Sequence, residues 1–165
     1  MLEPRASRPY MPGYGTLPAG QGSGLLPWSW ALKRLRDSHD YWLSTVWPDG
    51  RPHLTPVWAV WRDDAIWFSS AFNARKIRNI RAGSGVSIAT DDPLNPVVVE
   101  GTARVMKDSV SLRAFLAAMN EKYRTGYGLE FLDPARNATV RIRPTWAFGL
   151  VEGDFPGSPT RWEFR

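Results

Sequence analysis

The chain has 165 residues, which suits a single domain, and 43% of them are hydrophobic, enough for a sizeable core. It has no cysteine, which excludes disulfides, thiolate catalysis and cysteine-ligated metal sites. The net charge of +5, from 21 basic and 16 acidic side chains, favours an anionic partner. Nucleic acid, a membrane surface and a phosphorylated small molecule all stay open.

The first residues do not have the pattern of a targeting segment. Signal peptides begin with a basic stretch followed by an apolar run, and the N-terminus has neither. No apolar run approaches the roughly 20 residues of a membrane-spanning helix. We therefore expect a soluble, cytoplasmic protein with no membrane partner.

Two regions of the chain differ in composition. Residues 1–27 are rich in proline and glycine and lack periodicity, which predicts an arm that is either disordered or laid over a surface. Residues 28–165 carry the apolar patterns of one folded domain. Its first element is a short helix capped by Ser29. Three strands joined by tight turns follow, at residues 41–47, 53–61 and 65–70.

The second half of the chain alternates strands with helices. Asn73 is predicted to cap a helix over 74–82, and Asp108 or Ser109 to cap a helix over 109–123. The first three strands are joined by turns and not by helices. We therefore predict a fold that is mainly β with flanking helices (α+β), built on a closed antiparallel barrel. Its remaining strands are predicted at 85–91, 96–106, 138–144 and 145–151.

The stretch FSSAFNARKIRNI, residues 68–80, places hydroxyls and cations where a strand leads into a helix. The unpaired N–H groups and the dipole of a helix N-terminus attract anions, and hydroxyls and cations strengthen such a site. One interpretation is a phosphate site, and the other is a basic helix face in water. The candidate ligands are Ser69, Ser70, Arg75, Lys76 and Asn79, and the last three are expected to project from one broad side of the helix.

The segment HLTPVWAVW, residues 53–61, predicts a strand that cannot be fully paired. Pro56 has no N–H, so it must lie on a sheet edge or at a bulge, where backbone groups are free to bind a ligand. Trp58 and Trp61 would point to opposite faces of a regular strand. An ordinary edge strand explains the pattern equally well.

No set of catalytic side chains is evident. His39 and His53 are the only histidines, and two histidines without cysteine do not make a zinc site. The G-x-S-x-G pattern of serine hydrolases is absent. We therefore expect no metal site, the catalytic residues stay unknown, and any chemistry is expected from a cofactor.

Five segments in chain order carry a family resemblance: YWLSTVWPDGRPHLTPVWAVW, IWFSS, RKIRNI, VVVEGTARV and TRWEF. They resemble the pyridoxamine 5′-phosphate oxidase-like superfamily of FMN-binding split barrels, over about residues 28–165. Within it, they are similar to the flavin/deazaflavin oxidoreductases common in actinobacteria. The resemblance implies a six-stranded antiparallel split β-barrel and a homodimer with two cofactor sites at its interface.

The resemblance also assigns site residues by motif. It implies that the cofactor phosphate lies at the strand-to-helix junction, near Ser69, Ser70, Arg75 and Lys76. The strand that contacts the cofactor ring matches Thr55, Pro56, Val57 and Trp58. The C-terminal segment, which in the family reaches a cofactor across the dimer, matches Trp146, Arg161 and Trp162.

The cofactor implied is the deazaflavin coenzyme F-420 or FMN. We favour the deazaflavin slightly, because the Trp- and Arg-rich sequence is similar to those of its actinobacterial users. Its long anionic tail needs a longer basic groove, to which Arg78 and Arg81 would contribute. The basic C-terminal signature of true pyridoxamine phosphate oxidases is missing, so vitamin B6 oxidation is not expected.

The expected function is a flavin/deazaflavin-dependent oxidoreductase that transfers hydride to or from a small organic substrate, whose identity the sequence leaves open. One alternative is a cofactor carrier or sensor without turnover. Another is a nucleic-acid binder that stacks single strands on its aromatic side chains. The cations cluster at one junction and do not form a stripe, which disfavours nucleic acid as a partner.

Overall fold

The structure, a computed structural model, describes residues 3–165, which contain nine β-strands, three α-helices and two short 3₁₀ turns. Met1 and Leu2, the first residues of the predicted arm, lie outside the described residues. The strands are β1 (Arg5–Ser7), β2 (Asp40–Val46), β3 (Pro52–Trp58), β4 (Val60–Arg62), β5 (Ala65–Ala71), β6 (Gly85–Thr90), β7 (Val97–Val105), β8 (Asn137–Gly149) and β9 (Thr160–Glu163). The helices are α1 (Trp28–Asp37), α2 (Arg75–Ala82) and α3 (Ser109–Tyr123), and the 3₁₀ turns are Leu129–Leu132 and Glu152–Asp154.

All nine strands belong to one antiparallel sheet that branches at β8. The main path runs in the order β1-β9-β8-β7-β6-β2-β3. β5 pairs with the first half of β8, residues 137–142, whereas β9 pairs with the second half, residues 146–149. β4 pairs with β5 and is separated from β3 by a single residue, Ala59. The chain therefore crosses from the edge of the main path to the other branch at Ala59.

The main core lies on the inner face of this sheet. Side chains along β2 alternate between the two faces, as expected for a strand. Tyr41, Leu43 and Thr45 are buried, whereas Trp42 and Val46 are exposed. The sheet thus has one apolar face in the core and another apolar face, on β2, that is left outside.

β5 is buried on both of its faces because elements pack on each side. Phe68 lies in the main core. Trp67 points the other way and packs with Phe115 and Met119 of α3 in a second, smaller cluster. This arrangement fixes α3 against the back of the strand that leads into α2.

The predicted helix over 109–123 is confirmed. α3 spans these residues, and the Asp108 carboxylate accepts a hydrogen bond from the Ser111 N–H at 2.8 Å. Both the apolar spacing and the cap are local features, so the sequence alone specifies them. None of the helices in residues 3–165 is long and apolar enough to cross a membrane.

The predicted caps of the other two helices are wrong. α1 begins at Trp28, which places Ser29 inside its first turn. α2 begins at Arg75 and makes no side-chain cap bond, so Asn73 does not cap it. The first N–H groups of α2 are therefore left without a side-chain acceptor among the described residues and can bind an anion.

Two predicted strand boundaries also differ from the structure. The strand expected at 53–61 is divided at Ala59, and the two strands expected at 138–144 and 145–151 form the single strand β8. Its pairing with β7 shifts register at Gly101, where a Cβ atom would overlap the carbonyl oxygen of Arg143. Glycine permits this close approach, and β8 continues through the bulge.

The arm is laid over the C-terminal part of the same chain. β1 pairs with β9, the Leu26 N–H donates to Thr160 Oγ1 at 2.8 Å, and the Ser23 N–H donates to the Asp154 carboxylate at 2.7 Å. Of the two arrangements expected for the arm, residues 3–27 adopt the surface-bound one.

Candidate functional site

The N-terminus of α2 carries cations without acidic partners. Lys76 is the second residue of the helix, and its Nζ donates to Ser70 Oγ at 3.3 Å. Burial lowers the pKa of Lys76. Within residues 3–165, no carboxylate lies within 4.0 Å of Arg75 or Lys76. Neither cation therefore has a direct ion-pair partner in the described residues, as in sites that bind anions.

The two serines of the junction point to opposite faces of β5. Ser70 shares its face with Phe68 and lies beside Lys76. Ser69 shares the other face with Trp67, and its hydroxyl donates to the Ala138 carbonyl at 3.4 Å. The structure therefore brings one hydroxyl, and not two, next to the lysine.

Arg75, the other cation at the N-terminus of α2, stacks on a tryptophan ring. The guanidinium of Arg75 lies over the Trp47 ring at 3.7 Å from its centroid, and that of Arg51 lies over the same ring at 4.4 Å. Desolvation, together with the positive charges of Arg78 and Arg51, lowers the pKa of Arg75. We call Trp47, Arg51, Ser70, Arg75 and Lys76 the cation junction.

Sequence reasoning missed Trp47 as a member of this site. The residue follows β2 directly and precedes the turn at Pro48–Gly50, which is the pattern of an ordinary packing residue. Its partner Arg75 is 28 positions further along the chain, so no local signal links the two.

The expectation that Asn79 points outward with the cations is wrong. Asn79 is 1% exposed, and its Nδ2 donates to the buried Thr45 Oγ1 at 3.0 Å. It therefore ties α2 to β2 from the inner side of the helix. A phosphate at the helix N-terminus has no access to it.

β3 lies at the edge of the sheet, as Pro56 predicts. The side chains of Pro56 and Trp58 are exposed, that of Thr55 is half-buried, and that of Val57 is buried. An edge strand leaves backbone groups unpaired on its outer side, where a ligand can reach them. Trp61 belongs to β4 and packs against the main core.

The far end of β3 is held by α3. The Trp58 ring stacks on the Tyr123 ring, with centroids 4.4 Å apart and planes 4° from parallel. Tyr123 Oη accepts from the Ala59 N–H at 2.8 Å, and Lys122 Nζ donates to the Ala59 carbonyl at 2.9 Å and to Tyr41 Oη at 2.7 Å. We call Tyr41, Trp58, Lys122 and Tyr123 the aromatic clamp.

Burial in the clamp shifts the pKa of its ionisable groups. Desolvation lowers the pKa of Lys122 to about 8 and raises that of Tyr123 to about 12. Both backbone groups of Ala59 are hydrogen-bonded to side chains of α3. The break between β3 and β4 is therefore a fixed feature of the structure.

The three C-terminal residues that the family resemblance assigns to cofactor binding differ in their exposure. Arg161 lies over the Trp146 ring at 4.8 Å and pairs with Glu163 at 3.1 Å, and all three are half-buried. Trp162 is fully buried and packs edge-on against Trp28 at 5.6 Å. Trp162 therefore has no surface left for a ligand and serves the core.

An apolar surface covers the outer face of β2 and β3. Trp42 and Val46 are 46% and 52% exposed, and Leu54 is 62% exposed. Pro56 lies directly opposite Trp42 in the β2–β3 ladder, so these side chains adjoin. We call this surface, formed by Trp42, Val46, Leu54 and Pro56, the outer face.

Comparisons with known proteins agree with this fold. Residues 31–150 match the family described as pyridoxamine 5′-phosphate oxidase. A solved structure named F420 reductase is 26% identical, with 70% of this chain and 93% of that chain covered and a TM-score of 0.56. A comparison with curated sequences finds no match.

Two further solved structures share the fold at lower identity. A conserved hypothetical protein from Mycobacterium tuberculosis is 21% identical over 84% of this chain and 85% of its own, with a TM-score of 0.67. The heme storage protein from Vibrio cholerae is 18% identical over 69% of this chain and 87% of its own, with a TM-score of 0.56. With the family match over well more than half of its length, the chain belongs to the pyridoxamine 5′-phosphate oxidase-like split-barrel family.

Proposed function

We propose that the protein is an oxidoreductase that binds a flavin-type cofactor and transfers hydride to or from a small organic substrate. The observation that carries the proposal is the cation junction. Lys76, Arg75 and the Ser70 hydroxyl meet at a helix N-terminus, and within residues 3–165 the neighbouring carboxylate, Asp49, pairs with Arg51 and not with Arg75 or Lys76. Such a set is costly for the protein alone and favourable once an anion is bound.

The donors at the junction fit a phosphate group. Arginine and lysine give charge-assisted hydrogen bonds to phosphate oxygens, and the hydroxyl adds one more donor. Asn79 and Ser69, which point elsewhere, do not belong to this set. Ser70, Arg75 and Lys76 would therefore hold the phosphate of the cofactor.

β3 is proposed to receive the cofactor ring. Its first residues adjoin the end of β2, which leads into Trp47 at the junction, and its edge is unpaired along Thr55 and Pro56. Trp58 closes the other end with an exposed ring face. A flavin or deazaflavin bound here supplies the hydride chemistry, while the chain binds and orients it.

The deazaflavin coenzyme F-420 is the preferred cofactor, with FMN as the alternative. The match to an F420 reductase over 93% of that chain supports this order. Arg78 is exposed beside the junction and is available to an anionic tail. Arg81 stacks on Phe72 at 3.9 Å and lines a different cavity, so it is not assigned to this tail.

A homodimer is proposed to complete the sites, with the outer face buried between two copies of the chain. Apolar side chains this exposed and this close together are typical of interaction surfaces. The barrel of each copy would consist of β2, the β3–β4 segment, β5, β8, β7 and β6, closed through Ala59.

The test is a side-by-side titration of the purified apoprotein with F-420 and FMN, followed by a hydride-transfer assay. We expect binding of at least one cofactor and transfer from its reduced form to an activated alkene. Binding without transfer would indicate a carrier or sensor, and binding of neither cofactor would contradict the proposal.

A further inference from the structure

A cavity that is separate from the cation junction lies on the side of the fold where α3 begins. It has a volume of about 800 Å³, within the range of small-molecule sites. It lies between the end of β7, the start of β8, the first turns of α3 and the segment before α2. Most of its wall is apolar, with contributions from Met106, Leu112, Leu132 and Pro134.

Two cations stand at this cavity without acidic partners. Arg81 and Lys107 line it, and neither forms an ion pair within 4.0 Å in the described part of the chain. Arg81 is held in place by stacking on Phe72, at 3.9 Å, and by donating to the Phe72 carbonyl at 3.3 Å. A positioned guanidinium beside an apolar wall favours a ligand that is both anionic and apolar.

A buried hydroxyl also lines the cavity. Thr139 is 4% exposed and lines the cavity. Its hydroxyl can donate a hydrogen bond to a ligand in the cavity or accept one from it. Thr139 pairs with Ser69 in the β5–β8 ladder and so lies on the face of the sheet opposite Ser70 and Lys76.

One carboxylate lies near the cationic side. Asp108 precedes α3, next to Lys107, and its oxygen accepts from the Ser111 N–H at 2.8 Å. Hydrogen bonds from Ser111 lower the pKa of Asp108 and engage the carboxylate at the helix. Asp108 therefore caps α3, and in residues 3–165 it forms no ion pair within 4.0 Å with Lys107 or Arg81.

We propose that this cavity binds a small amphipathic carboxylate, with the apolar body against Met106, Leu112 and Leu132 and the carboxylate at Arg81 and Lys107. The site is separate from the cation junction and takes a different class of ligand. The proposal does not rest on the proposed function, because it concerns another face of the sheet and is tested on cofactor-free protein.

The test is calorimetric titration of the cofactor-free protein with decanoate, decan-1-ol and butyrate. Decanoate has both the charge and the apolar chain, whereas each of the others has one of the two. We expect decanoate to bind at least tenfold more tightly than either. Equal binding of decanol would overturn the role of the cations, and equal binding of butyrate would overturn the role of the apolar wall.

Variants locate the bound decanoate. Arg81→Gln should weaken its binding about tenfold, since one charge-assisted contact is lost, and Thr139→Val about threefold. Both Arg36→Gln, which removes an exposed charge on α1, and Lys76→Ala should leave it unchanged. Equal losses in Arg81→Gln and Arg36→Gln, or a larger loss in Lys76→Ala, would show that decanoate does not occupy this cavity.

Discussion

At the Trp58 end of β3, the polar groups around Ala59 are satisfied within the chain, and two aromatic rings stack face to face. At the opposite end, beside Trp47, three arginines and a lysine crowd together, and only Arg51 has a carboxylate partner, Asp49, in residues 3–165. The clamp is stable by itself, whereas the junction gains from an added anion. A cofactor-binding surface with one rigid end and one charged end would place the ring by packing and the phosphate by charge.

The largest expected effect comes from removing the central cation of the junction. Lys76→Ala should weaken cofactor binding by roughly ten- to a hundredfold, because a charge-assisted contact contributes about 1.5–3 kcal/mol. Stability of the apoprotein should be unchanged or slightly higher, because a cation is unfavourable at a helix N-terminus. Binding is measured by titration and stability by urea unfolding.

The matched control for that variant is Arg36→Ala, which removes an exposed cation from α1, far from the junction in the chain. It should leave cofactor affinity unchanged. Equal losses in the two variants would mean that only net charge matters and that the junction has no special role.

At the clamp, the expected effect is on stability. Tyr123→Phe keeps the ring on Trp58 but leaves the Ala59 N–H without its acceptor, so it should lower the free energy of unfolding by about 1–3 kcal/mol. Tyr127→Phe is the control, because that ring also stacks, on Phe131, and its hydroxyl has no hydrogen bond in the described residues. Equal unfolding midpoints for the two variants would contradict the stabilising role of the Tyr123 hydroxyl in the aromatic clamp.

Substitutions of Trp58, at the end of β3, and of Trp47, near its beginning, should distinguish binding of the cofactor ring from binding of its phosphate. Trp58→Leu should weaken a cofactor and its phosphate-free analogue alike, by about three- to tenfold. Trp47→Leu should weaken the phosphate-containing cofactor two- to fivefold, through loss of the support under Arg75, and spare the analogue. Identical losses in both titrations for the two variants would remove the distinction between the ends.

The smallest expected effect is a change of protein stability with pH, which is caused by the titration of Lys122. Burial lowers its pKa in the folded state to about 8, below that of the unfolded chain, so the unfolded state binds more protons above this pH. Stability should therefore rise between pH 8 and 9.5, by about 1 kcal/mol or less because the side chain is partly solvated. Lys122→Met should lack this rise in urea unfolding; a rise of equal size in that variant would assign it to other groups.

The features that could be predicted from the sequence are those set by local patterns. The apolar spacing and the Asp108 cap define α3, and Pro56 places β3 at an edge, without reference to the rest of the chain. The stretch from strand β5 into helix α2 likewise brings Ser70 and Lys76 together within seven residues.

The features that could not be predicted depend on contacts between distant positions. Tyr123 binds Ala59 across 64 positions, and Asn79 turns inward because Thr45, 34 positions away, offers it a partner. Helical spacing alone puts Asn79 near Lys76, but packing of the flanking Ile77 and Ile80 sets which side of the helix is buried. Strand alternation predicts that Ser69 and Ser70 point to opposite faces of β5, but only the Lys76 contact shows which of the two belongs to the junction.

The most direct test of the central claim, that the cation junction binds the cofactor phosphate, is a four-way titration. FMN and riboflavin, or F-420 and its phosphate-free analogue, are each bound to the wild-type apoprotein and to Lys76→Ala. We predict that the substitution weakens the phosphate-containing ligand by roughly ten- to a hundredfold and the phosphate-free ligand by less than about threefold. An equal loss for both ligands, or no loss for either, would contradict the claim.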